Sequence, residues 1–87
     1  MNSHATKKFW DRFHRLPREV QLIAVKQYRL WKENPNHRSL NFKKLSNDYW
    51  SARVTEDYRA VGVLDSGTIV WFFIGTHAEY DRLLKNS

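Results

Sequence analysis

Large apolar residues recur at three- and four-residue spacing near the start of the chain, at Phe9, Trp10, Phe13 and Leu16, with Lys7, Lys8, Asp11, Arg12 and Arg15 between them. That spacing predicts a short amphipathic helix over residues 6–16. Pro17 then suits the first turn of a second helix, where its missing N–H costs nothing, and Val20, Ile23, Ala24, Tyr28 and Trp31 supply its buried stripe. Asn34, Pro35 and Asn36 end that helix, because the residue before a proline avoids helical angles. Two short helices joined at a proline predict a helical hairpin.

Residues 37–48 are polar and basic, with Leu40, Phe42 and Leu45 as apolar tethers of a loop. The period then changes. Residues 49–54, 58–64 and 68–74 are rich in aromatic and β-branched side chains and are separated by Thr55, Glu56, Asp57 and by Asp65, Ser66, Gly67. This pattern predicts a three-stranded antiparallel meander. Thr76 followed by Glu79 has the form of a capping box, so a short C-terminal helix starts near His77 and carries Tyr80, Leu83 and Leu84. The expected fold is α+β: one domain over residues 1–87, an N-terminal helical hairpin on a small antiparallel sheet, a short C-terminal helix, and frayed ends at 1–5 and 85–87.

Residues directly opposite in an antiparallel pair share a face. If both breaks are three-residue loops, Arg53 stands opposite Arg59 and Arg59 opposite Phe73. One face then carries Ser51, Arg53, Arg59, Val61, Trp71 and Phe73, with His77 just past its end. The other carries Ala52, Val54, Ala60, Leu64, Val70, Phe72 and Ile74 and packs on the helices. A two-residue loop at either break reverses the assignment, since a one-residue slip turns every side chain over.

Composition narrows the function. The chain has no cysteine, which removes disulfides and thiolate metal sites, and a formal charge of +6, which favours an anionic partner such as nucleic acid or an acidic protein. No stretch has the length and apolarity of a signal peptide or membrane span, so the expectation is a soluble cytoplasmic protein with no membrane partner. His4, His14 and His37 lack ligand spacing with one another or with carboxylates, so no metal and no cofactor is expected. Two arginines, a histidine and aromatic rings on one basic face suit RNA. Arginine offers planar bidentate bonds to phosphate, Trp71 or Phe73 could stack an unpaired base, and histidine exchanges protons near neutral pH. Strand scission by the adjacent 2′-hydroxyl needs those parts and no metal. Each group also has a plainer use: Arg53 and Arg59 in surface ion pairs, Lys43 and Lys44 as solvated loop charge, Trp71, Phe73 and Tyr80 as packing, and His77 as a first-turn helix residue.

The order helix, proline, helix, basic loop and then "YWSARVTEDYRAVGVLDSGTIVWFFIGTHAEYDRLL" resembles the RelE/ParE superfamily of bacterial toxin-antitoxin toxins over roughly residues 6–84. The resemblance rests on Arg53, on Tyr58 and Arg59, and on Gly75, Thr76 and His77 followed by Tyr80. It implies a type II toxin of the RelE/HigB-like branch, an endoribonuclease that cleaves messenger RNA on the ribosome and is silenced by a cognate antitoxin. The alternative it leaves open is a ParE-like inhibitor of DNA gyrase that catalyses nothing. By that resemblance Arg59 is the phosphate-stabilising arginine, Arg53 contacts the scissile region, and His77 is a general acid or base with Tyr80 beside it. Lys43 and Lys44 then bind substrate or ribosomal RNA. The chain departs from the family pattern in two places. Residues 1–5 are too short and polar for the usual first strand, and Ser51 stands where RelE itself has a lysine.

Overall fold

The computed structural model describes residues 2–46 and 48–85, and its elements follow in the order β1 Asn2–Ala5, α1 Lys7–His14, α2 Arg18–Glu33, a 3-10 turn Arg38–Leu40, β2 Lys43–Ser46, β3 Tyr49–Arg53, β4 Tyr58–Asp65, β5 Thr68–Thr76 and α3 His77–Lys85. The sheet has five strands in the order β1-β5-β4-β3-β2, antiparallel except where β1 runs parallel to β5. The meander is therefore the centre of a larger sheet. Residues 2–5, expected to fray, instead pair Asn2 with Thr68 through Ala5 with Trp71. Residues 43–46, expected as loop, form the opposite edge, pairing Lys43 with Ser51 and Lys44 with Trp50. Edge pairing needs backbone groups more than apolar side chains, so polar sequence does not forbid it.

Both N-terminal helices begin one residue later than expected, with Thr6 and Pro17 at the N-cap positions rather than inside the first turn. Thr6 caps α1, its hydroxyl accepting from the Phe9 N–H at 3.2 Å. Pro17 occupies the N-cap position of α2, whose last turn ends at Asn34. The Gln21 amide closes the joint between the helices by donating to the Leu16 carbonyl at 3.0 Å. Of the five residues expected along the buried face of α2, Val20, Ala24 and Trp31 are buried, whereas Ile23 and Tyr28 are about two-fifths exposed, at 40% and 41%. Tyr28 is held at the surface by its hydroxyl, which lies 2.5 Å from that of Ser3 on β1.

The principal core lies between the helices and one sheet face. Trp31, 1% exposed, meets Trp71 edge to face at 5.4 Å and Phe42 at 5.6 Å, while Phe42 stacks on Trp50 at 4.8 Å. Leu40 and Phe42 thus do the tethering that their isolated apolar positions predicted. A smaller core lies on the other face, where Val61, Phe73 and Tyr80 are buried together beside Leu45, Phe72, Leu83 and Leu84.

The register decides which residues share that second face. The break at residues 55–57 is a three-residue loop, and Arg53 pairs with Arg59 as expected. The break after Asp65 is shorter. Asp65 pairs with Thr68 around Ser66 and Gly67, both with positive φ at 52° and 83°, as the commonest two-residue hairpin turn requires. The slip moves Trp71 opposite Gly62 and onto the helix side, where it is buried. A bulge at Phe72, between the pairs Gly62–Trp71 and Val61–Phe73, then inserts one residue and restores the expected faces beyond it. Arg59 consequently stands opposite Gly75 rather than Phe73. Both Val70 and Phe72 leave the helix side, Val70 pairing with Val63 and Phe72 joining the smaller core.

Candidate functional site

The end of β5 leads directly into α3, and the capping box read from the sequence forms in full. Thr76 N–H donates to Glu79 Oε1 at 2.9 Å, the Thr76 hydroxyl to the same oxygen at 3.1 Å, and Glu79 N–H to the Thr76 hydroxyl at 3.2 Å. A residue absent from the sequence-based site locks the cap to the rest of the protein. Arg12 of α1 donates through Nη2 to Glu79 Oε2 at 3.0 Å and through Nε to the Ile74 carbonyl at 2.9 Å, and its guanidinium lies 4.4 Å from the Phe73 ring centre. The Thr76 backbone bond, assisted by the Thr76 hydroxyl and the Arg12 charge, holds the Glu79 carboxyl below its ordinary value although burial pulls it up. Gly75 is the floor beneath this arrangement. A Cβ there would lie 2.8 Å from Glu79 Oε1, 3.0 Å from Arg12 Nη2 and 3.0 Å from Phe73 Cζ.

His77 is thereby fixed at the start of α3. Its N–H donates to the Asp57 carbonyl at 2.8 Å, tying the helix to the loop between β3 and β4. The imidazole is half exposed, its ring centre 5.7 Å from that of Tyr80, and its Nδ1 lies 3.2 Å from Asp81 Oδ2. Tyr80 itself is only 7% exposed, its ring packed with Val61 and Phe73.

Arg59 governs the same loop from the other side. Its Nη1 donates to the carbonyls of Thr55, Glu56 and Tyr58 at 2.7, 3.0 and 3.0 Å. Among the described residues no carboxylate lies within ion-pair distance of Arg59 or Arg53. The loop at residues 55–58 thus joins Arg59, which gathers its carbonyls, to His77, which binds one of them, and the exposed Arg53 lies directly across the ladder.

Lys43 stands opposite Ser51, and so shares the face of Arg53 and Arg59; Lys44 stands opposite Trp50 and lies on the other face. Trp71, expected beside Phe73, is buried on the helix side, away from the face that carries Arg53 and Arg59. Phe73 keeps its expected face but lies beneath Tyr80 and Arg12. The face therefore brings three cations and a histidine together, with neither Trp71 nor Phe73 placed to stack a base beside them. His37 has a local structural use, its Nδ1 accepting from the Ser39 N–H at 3.2 Å.

A second surface feature belongs to the helical side. A half-open apolar cavity of about 530 Å³ separates α2 from the sheet, lined by Trp10, Phe13, Tyr28, Trp31 and Trp71 among others. Leu22 and Val25 are exposed along α2, where Lys26, Arg29 and Lys32 are also exposed.

A small sheet carrying N-terminal helices on one face and a C-terminal helix on the other is the RelE/ParE-type toxin fold. The chain belongs to the ParE-like toxin domain family, whose profile matches residues 18–82. Among solved structures it is similar to a RelB-RelE antitoxin-toxin complex from Methanococcus jannaschii, at 16% identity and a TM-score of 0.72 over 91% of this chain and 96% of that one. It is also similar to a YoeB/ParE toxin from Agrobacterium tumefaciens, at 22% identity and 0.68 over 88% and 99% of the two chains, and to YafQ from E. coli, at 15% and 0.70 over 91% and 96%. No curated protein matches it by sequence. Among the described residues no helix is long and apolar enough to cross a membrane.

Proposed function

We propose that this protein is the toxin of a type II toxin-antitoxin system and an endoribonuclease that cuts messenger RNA on the ribosome. The observation that carries the reading is the junction around residues 55–58, where Arg59 and His77 meet one loop and Arg53 faces Arg59 across the sheet. In the reaction the 2′-hydroxyl attacks the adjacent phosphorus. The O2′–P bond forms as the P–O5′ bond breaks, one proton leaves O2′ and one is delivered to O5′. The products are a 2′,3′-cyclic phosphate and a 5′-hydroxyl. His77 carries one of those protons, and Arg59 and Arg53 balance the charge that builds on the phosphoryl oxygens. Arg59 has Nη1 committed to backbone carbonyls, so its plane is set before RNA arrives and little ordering cost remains. Lys43, across the ladder from Ser51, supplies a cation on the face where RelE places its lysine. Tyr80 assists as the wall against which the imidazole rests.

The partner that silences the toxin is a cognate antitoxin. An acidic amphipathic segment fits the apolar cavity beside α2 and its flanking lysines and arginine. A second reading, inhibition of DNA gyrase without catalysis, is favoured by the ParE-like family match. Purified protein added to programmed ribosomes carrying a defined message separates the two. Cuts within the decoding site that vanish in His77→Ala support the nuclease; intact message together with inhibited gyrase supercoiling overturns it.

A further inference from the structure

Asp81 lies one helical turn after His77 on the same side of α3, and its Oδ2 is 3.2 Å from His77 Nδ1. The ring is bounded by Tyr80, whose centre is 5.7 Å away and whose own side chain is anchored in the smaller core. Glu79, the acid of the first turn, is directed elsewhere, to Thr76 and Arg12. From the adjoining loop, Asp57 meets His77 through its backbone carbonyl. Asp81 is thus the carboxylate that faces the imidazole.

An imidazole works as an acid or base through one nitrogen, and which nitrogen is free depends on what the other one binds. A carboxylate on Nδ1 keeps the proton of the neutral ring there, leaves the lone pair on Nε2, and steadies the cation that forms when Nε2 accepts a second proton. The start of a helix is also an unfavourable place for positive charge, and the carboxylate one turn further on supplies a counter-charge to an imidazolium that the macrodipole disfavours. We infer that Asp81 is a positioning residue that holds His77 as the Nδ1–H tautomer and makes Nε2 the nitrogen that exchanges a proton with RNA. This rests on the nuclease reading for its chemistry and on the Nδ1 contact alone for its geometry.

The test uses the full chain with Asp81→Asn and Asp81→Glu. Asparagine keeps the size of the side chain and removes the charge, and glutamate restores a carboxylate within reach of the same turn. Nitrogen-15 chemical shifts of the His77 ring in the isolated protein are expected to show mainly Nδ1–H in wild type, a shift towards Nε2–H in Asp81→Asn, and recovery in Asp81→Glu. On programmed ribosomes Asp81→Asn is expected to lower kcat about tenfold with KM unchanged, a part of the 10²–10⁴ that a positioned acid or base contributes, with Asp81→Glu recovering most of it. An unchanged tautomer ratio in Asp81→Asn, or wild-type kcat in that variant, overturns the inference. If wild type itself cuts nothing, the nuclease reading falls and the role of Nε2 with it, while the nitrogen shifts still decide whether Asp81 orients the ring.

Discussion

Replacing Glu79 by glutamine isolates the charge of the clamp that seats α3. The amide oxygen can still accept from the Thr76 N–H, so most of the capping geometry survives, but the ion pair with Arg12 is lost. The two side chains are 31% and 39% exposed, so the pair is solvent-screened and is worth about 0.2–1 kcal/mol. Weakening the charge-assisted bond from Thr76 adds a few tenths, for a total of about 1 kcal/mol, or about 4–8 °C in Tm for a domain of this size. The effect carries a pH signature. The Glu79 carboxyl is held below its ordinary value of 4.5, first by the Thr76 N–H and then by the Thr76 hydroxyl and Arg12. Between the folded and the unfolded value the unfolded chain therefore binds a proton that the native state resists. The stabilisation is complete above the unfolded value and is lost as pH falls through the folded one. Urea unfolding of wild type and Glu79→Gln, stepped from about pH 7 down to about pH 3, should show a stability gap that closes as the acid range is entered. A gap that stays constant through that range, or no gap at neutral pH, refutes the idea that an ionised Glu79 seats the helix.

Three further outcomes follow from the geometry. His77→Ala should abolish cleavage while changing unfolding free energy by only about 0.5 kcal/mol, because the ring is half exposed; a large loss of stability would mean that its role is structural. Arg59→Ala should lose cleavage and also about 1–3 kcal/mol, since the carbonyls of Thr55, Glu56 and Tyr58 lose their shared donor, and amide exchange in that loop should quicken; unchanged exchange refutes the role assigned to Nη1. Gly62→Ala places a Cβ 2.7 Å from Ile69 Cγ2 and 3.0 Å from Trp71 Cε3, so thermal melting should reveal a loss of about 1–3 kcal/mol, and a wild-type Tm would show that β5 yields at its bulge.

The elements whose signal is local were readable from the residues alone. The three- and four-residue spacing of apolar positions marks α1 and α2, and the Thr76 to Glu79 spacing marks the start of α3. The sheet was harder because its errors are set by single residues. Taking Asp65 as part of a loop rather than a strand end shifts the pairing by one, and no pattern in residues 68–74 marks Phe72 as the bulged position that shifts it back. Val70 and Phe72, both apolar, read as core on either face. The strand at Asn2–Ala5 carries no apolar alternation because it is an edge pairing through its backbone. In the site, Arg53, Arg59 and His77 were visible as chemistry-bearing residues near the ends of strands. Arg12 was not, since its partner lies on the last helix and long-range pairs leave no local trace. Asp81 does carry a local signal, its four-residue spacing from His77 on a helix.

The parallel pairing of β1 with β5 sets how late in folding the candidate site can be completed. Asn2–Ala5 emerge early during synthesis, yet their partners at Thr68 to Trp71 are among the later residues to appear. Contacts between such distant segments close slowly and only together with the strands between them. Arg12 likewise waits for Glu79, so the start of α3 is not seated until most of the domain is in place. Partly made chains therefore hold Arg53 and Arg59 without the helix that carries His77, so the candidate site is completed only as the last elements of the domain come together.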